Sequence, residues 1–177
     1  MSESLLWTPR GEFFEGTHYI LSGGDNSKKP LVVCVHGIDG YHYTFDNLAK
    51  LLSSEGYRVL QYDLIGRGFS APHKSKLYGI IQHLDQLHSL LVHLKEITTP
   101  YHLIGLSMGG SLATIYASHY IEEVRSLTLL APAGLMKLPN VELLRQCPCF
   151  QTFVRYPIQA AGNHQPWSKT FYKHDGG

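Results

Sequence analysis

The sequence has little net charge and no long apolar run, and each of these absences excludes some classes of function. Across 177 residues, 15 lysines and arginines balance 14 aspartates and glutamates. This near-neutrality argues against nucleic acid as a partner and against electrostatic attraction to anionic membranes. The best apolar stretch, LTLLAPAGLM at 127–136, is broken by Pro132 and Gly134 and is shorter than the roughly 20 residues that span a bilayer. The sequence therefore predicts no transmembrane segment.

Cysteines are also few, and the first residues carry no export signal. The N-terminal segment MSESLLWTPRGEFF lacks the basic start and apolar stretch of a secretory signal peptide. The three cysteines are an odd number, which fits a reducing compartment better than a disulfide framework. Cys34 lies in an apolar run, whereas Cys147 and Cys149 form a C-P-C that matches neither a redox pair nor half a zinc site. We therefore expect a cytoplasmic protein, and the sequence implies no metal or organic cofactor.

What the chain does contain is an alternation of apolar strand patterns with helical patterns. Strands are predicted near residues 12–14, 18–21, 31–35, 57–62, 101–106 and 125–130. Helices are predicted over residues 44–54, 80–94 and 108–120. This alternation predicts the α/β class, with a mostly parallel sheet flanked by helices and joined by right-handed crossovers.

Apolar stripes define the buried faces of the first two helices. The first stripe comprises Phe45, Leu48, Leu51 and Leu52, and the second comprises Ile80, Leu84, Leu87, Leu91 and Leu94. His83, His88 and His93 lie off the second stripe. Because a five-residue spacing places no two of them on one metal-binding face, we interpret them as a solvated face.

The strongest functional signal is Gly105-Leu106-Ser107-Met108-Gly109, which lies between the strand YHLIGL and a helix rich in small residues. A serine in so sharp a strand-to-helix turn adopts a strained backbone, and the flanking glycines remove Cβ atoms that would collide. The turn would expose the Ser107 hydroxyl at the carboxyl edge of the sheet as a nucleophile. The alternative is a turn serine that only caps the helix.

A second signal, His36-Gly37-Ile38-Asp39-Gly40, directly follows the strand LVVCV. Acyl transfer requires backbone N–H groups that stabilise the developing oxyanion. One is expected from Met108, the residue after the serine, and the other from Ile38 in this loop. His36 is interpreted as a structural residue of the loop and not as the catalytic base.

A third signal is the segment from Asp63 to Ser70, DLIGRGFS. Its glycines imitate a dinucleotide-binding fingerprint, but Pro72 and a polar loop follow where the phosphate-binding helix should begin. Asp63 and Ser70 are therefore interpreted as residues that fix the loop through side-chain to backbone hydrogen bonds.

Together, the three motifs resemble the α/β-hydrolase family, in particular its serine esterases, monoacylglycerol-lipase-like enzymes and carbon–carbon-bond hydrolases. VCVHGIDGY is similar to the oxyanion loop of the family, YDLIGRGFS to the motif after its fourth strand, and GLSMGG to its nucleophile elbow. The resemblance covers about residues 15–136 and closes on LLAPAGL. It implies a serine hydrolase that acts on small apolar ester or acyl substrates.

The family pattern also implies an acid and then a histidine after the seventh and eighth strands, and the pattern here provides about six strands. We therefore expect residues 1–135 to form the N-terminal part of the core, and residues 136–177 to form the start of a helical lid and a tail. The aromatic segment LRQCPCFQTFVRYPIQ suits such a lid and could contact a membrane surface. Glu142, His164 and His174 are weak candidates for the acid and the base, and each is more readily interpreted as a lid or tail residue.

Two hypotheses follow from these motifs. In the first, the chain is the N-terminal part of a serine hydrolase, and by itself it lacks most of the activity because a triad without its base loses orders of magnitude in rate. In the second, it is a non-catalytic protein of the same fold, namely a truncated isoform, a relic or a binding module. An uncovered sheet edge would then offer a surface for self-association.

Overall fold

The computed structural model of the chain describes residues 10–24, 29–74, 78–96 and 99–134. Within these residues the strands are β1 (Glu12–Phe14), β2 (Thr17–Ser22), β3 (Leu31–Val35), β4 (Arg58–Tyr62), β5 (Tyr101–Leu106) and β6 (Val124–Leu130). The helices are α1 (Asp46–Ser54), which follows a short 3-10 turn at His42–Phe45, α2 (Ile80–His93) and α3 (Met108–His119). Each predicted strand and helix is present, with ends that differ from the prediction by at most two residues.

The six strands form one sheet in the order β1-β2-β4-β3-β5-β6. The pairs β4–β3, β3–β5 and β5–β6 are parallel, whereas β1–β2 and β2–β4 are antiparallel. All five residues of β3 are buried, as expected for a strand in the middle of a parallel sheet covered on both faces. The predicted α/β class with a mostly parallel sheet is confirmed.

The helices cover opposite faces of this sheet. Because strand residues alternate between faces, Val32 and Cys34 of β3 lie together on one face, where they pack with Phe45 and Ala49 beneath α1. On the other face, β5 contacts the start of α3 at Gly105. The carboxyl ends of β3, β4 and β5 therefore meet at one edge of the sheet, and all three sequence motifs begin there.

Two predictions about the helix faces are wrong. Leu51 is 61% exposed, because the buried side of α1 is occupied by Ala49 with Leu48 and Leu52 beside it. His83 is only 6% exposed, because the inner face of α2 is broader than the predicted stripe. That face comprises His83, Gln86, Leu87, Leu90 and Leu91. His88 is half-buried and His93 is exposed.

The proposed division at residues 135 and 136, the lid and the lid's membrane contact lie outside the described residues. Among the helices in the described part of the chain, none is long and apolar enough to cross a membrane. Cys34 is a free, buried thiol, while Cys147 and Cys149 lie outside the described residues. The cytoplasmic location rests on the cysteine count and stays a prediction.

Candidate active site

Ser107 is the single residue between β5 and α3, and its backbone has a conformation that non-glycine residues rarely adopt. Its φ of 53° and ψ of −119° resemble the first central position of a type II′ turn, which glycine normally occupies. A non-glycine residue held there stores about 1–3 kcal/mol of strain. The Ser107 side chain makes no capping hydrogen bond to α3, so the geometry does not support the alternative of a capping serine.

Two glycines allow α3 to start this close to the sheet. A Cβ atom on Gly105 would lie 2.4 Å from the Gly109 carbonyl oxygen, and one on Gly109 would lie 2.1 Å from the Val35 carbonyl oxygen. Both distances are far below van der Waals contact, and both neighbours are backbone atoms that cannot rotate away. The G-x-S-x-G spacing therefore has a steric cause in this fold.

The loop after β3 lies directly against Ser107. A Cβ atom on Gly37 would be 3.2 Å from the Ser107 Cβ and 3.7 Å from its Oγ, so the glycine leaves space beside the hydroxyl. The Gly40 N–H donates to the Gly37 carbonyl at 3.1 Å and closes the loop into a turn. Within residues 10–24, 29–74, 78–96 and 99–134, no acceptor pairs with the N–H of Ile38 or Met108. These two N–H groups therefore have no hydrogen-bond partner within the described part of the chain.

The end of β6 holds the serine turn from the other side. The Ser107 N–H donates to the Leu130 carbonyl at 2.9 Å, and the Ser107 carbonyl accepts from the Ala133 N–H at 2.9 Å. One turn further along α3, the Ser111 hydroxyl donates to the Ala133 carbonyl. These bonds fix the backbone of Ser107 while leaving its hydroxyl out of the network.

Both ring nitrogens of His36 form hydrogen bonds with backbone atoms. Its Nδ1 donates to the Gly37 carbonyl at 2.7 Å, and its Nε2 accepts the Leu64 N–H at 3.0 Å. Burial of the ring lowers the pKa of His36, although the Gly37 carbonyl and the nearby Asp63 partly oppose this effect. A neutral ring with both nitrogens occupied joins the ends of β3 and β4 and has no lone pair left for Ser107.

Asp63 and Ser70 hold the loop after β4 through backbone hydrogen bonds. The Ser70 hydroxyl donates to the Asp63 carbonyl at 2.6 Å and accepts the His18 N–H at 2.9 Å. The Asp63 carboxylate accepts the Phe69 N–H at 3.1 Å and the His42 N–H at 2.7 Å. Burial alone would raise the pKa of Asp63, but these two N–H groups and the His42 ring outweigh it and hold the pKa below its usual value.

No carboxylate or imidazole forms a hydrogen bond with the Ser107 hydroxyl in the part of the chain that the structure describes. The three weak candidates for the acid and the base, Glu142, His164 and His174, lie outside the described residues. The structure thus brings together Ser107, Met108 and the glycine loop, and it leaves the acid and the base unassigned.

Sequence reasoning missed one cluster at the same edge of the sheet. His18 and His42 both direct Nδ1 at the Asp63 carboxylate, from 45 and 21 residues away along the chain. These are also the side chains that come close enough together to share a metal ion in the described ranges. No local spacing announces the cluster, since each residue comes from a different segment.

The mostly parallel sheet, the strained serine between a strand and a helix, and the glycine loop beside it define an α/β-hydrolase type of fold. The sequence profile of the alpha/beta hydrolase fold family matches residues 30–170. The chain belongs to that family.

Individual relatives are lipases and related hydrolases. The chain is 32% identical over 112 residues to the monoacylglycerol lipase ABHD6 of Rattus norvegicus, covering 63% of this chain and 33% of that protein. It is 35% identical over 111 residues to Lipase 1 of Psychrobacter immobilis, covering 63% of this chain and 34% of the lipase. The crystal structure of a probable hydrolytic enzyme from Pseudomonas aeruginosa is similar with a TM-score of 0.63 at 30% identity, covering 68% of this chain and 38% of that one. The chain spans about a third of the length of the curated relatives it matches.

Proposed function

We propose that the chain carries the nucleophile and the oxyanion hole of a serine hydrolase that acts on carboxylic esters or related small apolar acyl substrates. One observation carries the proposal: Ser107 is held at a φ of 53° with its hydroxyl outside the backbone network and with Gly37 directly beside it. Backbone strain of this kind occurs mainly at functional sites, so a nucleophilic hydroxyl would explain why a serine occupies this position. The lipases and esterases among the relatives support an ester as the substrate class.

In the proposed reaction, Ser107 Oγ attacks the carbonyl carbon of the ester and gives up its proton to a base. The carbonyl oxygen becomes negatively charged and accepts hydrogen bonds from the N–H groups of Ile38 and Met108. Collapse of the tetrahedral intermediate releases the alcohol, which takes a proton, and leaves an acyl group on Ser107. Water then cleaves that acyl bond and restores the serine.

A fluorophosphonate probe tests the nucleophile, because it labels only activated serines. We expect mass spectrometry to find the label on Ser107, and we expect the Ser107→Ala variant to lose it. Ser118→Ala is the matched control, since it removes an exposed hydroxyl from the same helix and should keep the label. Turnover of p-nitrophenyl acetate should be weak in wild type and in the control, because no base is assigned, and absent from Ser107→Ala. Equal labelling of wild type and Ser107→Ala would refute the role of Ser107.

A second candidate function is a non-catalytic protein that binds a ligand or partner in the same place. It is favoured by the lack of an acid or a histidine on Ser107 among the residues that the structure describes. In that case wild type should show neither fluorophosphonate labelling nor ester turnover, while still unfolding in one cooperative transition. Size-exclusion chromatography would show in addition whether the β6 edge mediates self-association.

A further inference from the structure

A second site lies two strands away from Ser107, around Asp63 at the end of β4. His18 comes from β2 and His42 from the 3-10 turn after β3, and the ligand atoms of all three side chains lie within 4.8 Å of one another. His18 Nδ1 is 2.8 Å from Asp63 Oδ2, and His42 Nδ1 is 3.0 Å from the same oxygen. The side chains of His18 and Asp63 are completely buried, and that of His42 is 11% exposed. Within the described residues, His42 is therefore the member of the cluster that reaches solvent.

A neutral His18 ring cannot donate a hydrogen bond to both of its partners. Its Nε2 lies 2.9 Å from the Arg10 carbonyl oxygen, while its Nδ1 lies 2.8 Å from the Asp63 carboxylate. Both partners only accept hydrogen bonds, and a neutral imidazole has a single N–H to donate. If Nε2 donates to Arg10, the Nδ1 lone pair faces a carboxylate oxygen with nothing positive between them. A metal ion bound by both atoms would remove this contact between two acceptors.

The remaining geometry is that of a prepared ligand set. His42 Nδ1 approaches both carboxylate oxygens, at 3.0 and 3.1 Å, so the two Nδ1 atoms converge on one carboxylate. The Arg10 carbonyl occupies the place of the outer partner that usually orients a metal-binding histidine. The rings of Phe13 and Phe69 pack against the buried ring of His18, with centroid distances of 5.1 and 5.0 Å.

The carboxylate is held in place independently of the two histidine rings. The backbone N–H groups of His42 and Phe69 each donate to one of its oxygens. Gly68 makes this close wrapping possible, because a Cβ atom there would lie 2.4 Å from the Asp63 carboxyl group. The loop after β4 therefore presents an anchored carboxylate to both histidines.

We propose that His18 Nδ1, His42 Nδ1 and the Asp63 carboxylate bind one divalent transition-metal cation of the Zn²⁺ type. Two imidazoles and one carboxylate are ligands that suit Zn²⁺, with bonds of about 2.0–2.2 Å and a fourth position for water. Tetrahedral bonds of that length set the ligand atoms about 3.3 Å apart. The nitrogen-to-oxygen distances of 2.8–3.1 Å would open by a few tenths of an ångström, and all the ligand atoms already lie within 4.8 Å of one another.

Such an ion would join β2, the loop after β3 and the loop after β4. It goes beyond the sequence analysis, which implied no metal, and it does not depend on the hydrolase proposal. Because the cluster lies two strands away from Ser107 in the sheet, we assign the ion a structural role and not the activation of the nucleophile.

The test is zinc binding by chain purified without a histidine tag and treated with EDTA, followed by isothermal titration with ZnCl₂. We expect one Zn²⁺ per chain and at least 100-fold weaker binding by His42→Gln, which alters the most exposed ligand and spares the buried pair. His119→Gln, at an exposed histidine of α3, is the matched control and should bind like wild type. Co²⁺ should give the visible absorption of a tetrahedral site in wild type and not in His42→Gln.

Two results would overturn the proposal. One is wild type that binds no stoichiometric Zn²⁺. The other is His42→Gln that binds Zn²⁺ as tightly as His119→Gln, which would place the ion elsewhere. Circular dichroism of each variant establishes that a loss of binding is not a loss of fold.

Discussion

Replacing Ser107 by glycine should stabilise the protein, although glycine normally weakens a folded chain. At a φ of 53° and a ψ of −119° the serine Cβ stores about 1–3 kcal/mol, and glycine removes this strain. Against this gain stands the larger conformational entropy of glycine in the unfolded chain, about 0.5–1 kcal/mol. Ser107→Ala keeps the Cβ atom and hence the strain. We therefore expect Ser107→Gly to be about 1 kcal/mol more stable than Ser107→Ala.

A matched pair at Ser111 provides the control. Both Ser111 variants lose the same hydroxyl bond to the Ala133 carbonyl, so the difference between them reports only the backbone. Ser111 has the helical conformation of α3, where glycine is about 1 kcal/mol less favourable than alanine. The difference between glycine and alanine should therefore have opposite signs at the two positions.

Urea unfolding followed by circular dichroism measures all four variants on one scale. If the glycine variant is the less stable one at both serines, the Ser107 backbone is not strained. The proposed exposure of its hydroxyl would then lose its structural basis. If the glycine-minus-alanine difference in unfolding free energy has opposite signs at the two positions, the backbone at Ser107 lowers the stability of the fold. This is expected where a fold holds a reactive group in place.

Three further predictions concern close packing, pH and thiol chemistry. Gly109→Ala should lower the free energy of unfolding in urea by more than about 3 kcal/mol, because its Cβ would lie 2.1 Å from the Val35 carbonyl oxygen. Gly24→Ala is the control and should change little, because nothing lies within 4 Å of its Cβ. Equal effects of the two substitutions would contradict the close approach of α3 to the sheet. Burial, aided by the charge of Arg67, lowers the pKa of His83 from 6.5 to about 4, so the unfolded chain binds the proton first. Stability should thus be complete above pH 6.5 and fall by about 3 kcal/mol as the pH drops through 4, and a His83→Gln variant with an unchanged slope in this window would refute the assignment. Burial also raises the pKa of Cys34 to about 12, so iodoacetamide should modify this thiol only after the protein unfolds. Peptide mapping would locate the modified cysteine. Rapid modification of Cys34 in the folded protein would contradict its buried position.

The sequence predicted the elements of the fold well because their signals are local. The run LVVCV forms β3 over the predicted residues, and YHLIGL forms β5 over the predicted residues. The tight turn around Ser107 was also predictable, since the glycines at 105 and 109 have a steric cause within a few residues. Its closeness to Gly37 followed from a general rule, namely that parallel strands end at one edge of the sheet.

Other features could not be predicted because they depend on packing between distant segments. Leu51 lies on the predicted apolar stripe of α1 yet is exposed, since the rotation of the helix on the sheet is set by the residues beneath it. His83 appeared to be a surface residue and is buried, because the inner face of α2 is wider than a stripe of leucines. In each case the helix was predictable and its orientation was not.

By itself, the sequence determined the α/β class, the order of the elements and the strained turn at Ser107, because apolar periodicity and glycine spacing act over a few residues. Only the tertiary structure decided what surrounds Asp63. The order β2-β4-β3 places β4 between its two neighbours and brings His18 and His42 to the Asp63 carboxylate. Pairing between strands far apart in the chain has no local signature, so a cluster built by that pairing becomes visible only when the sheet is assembled.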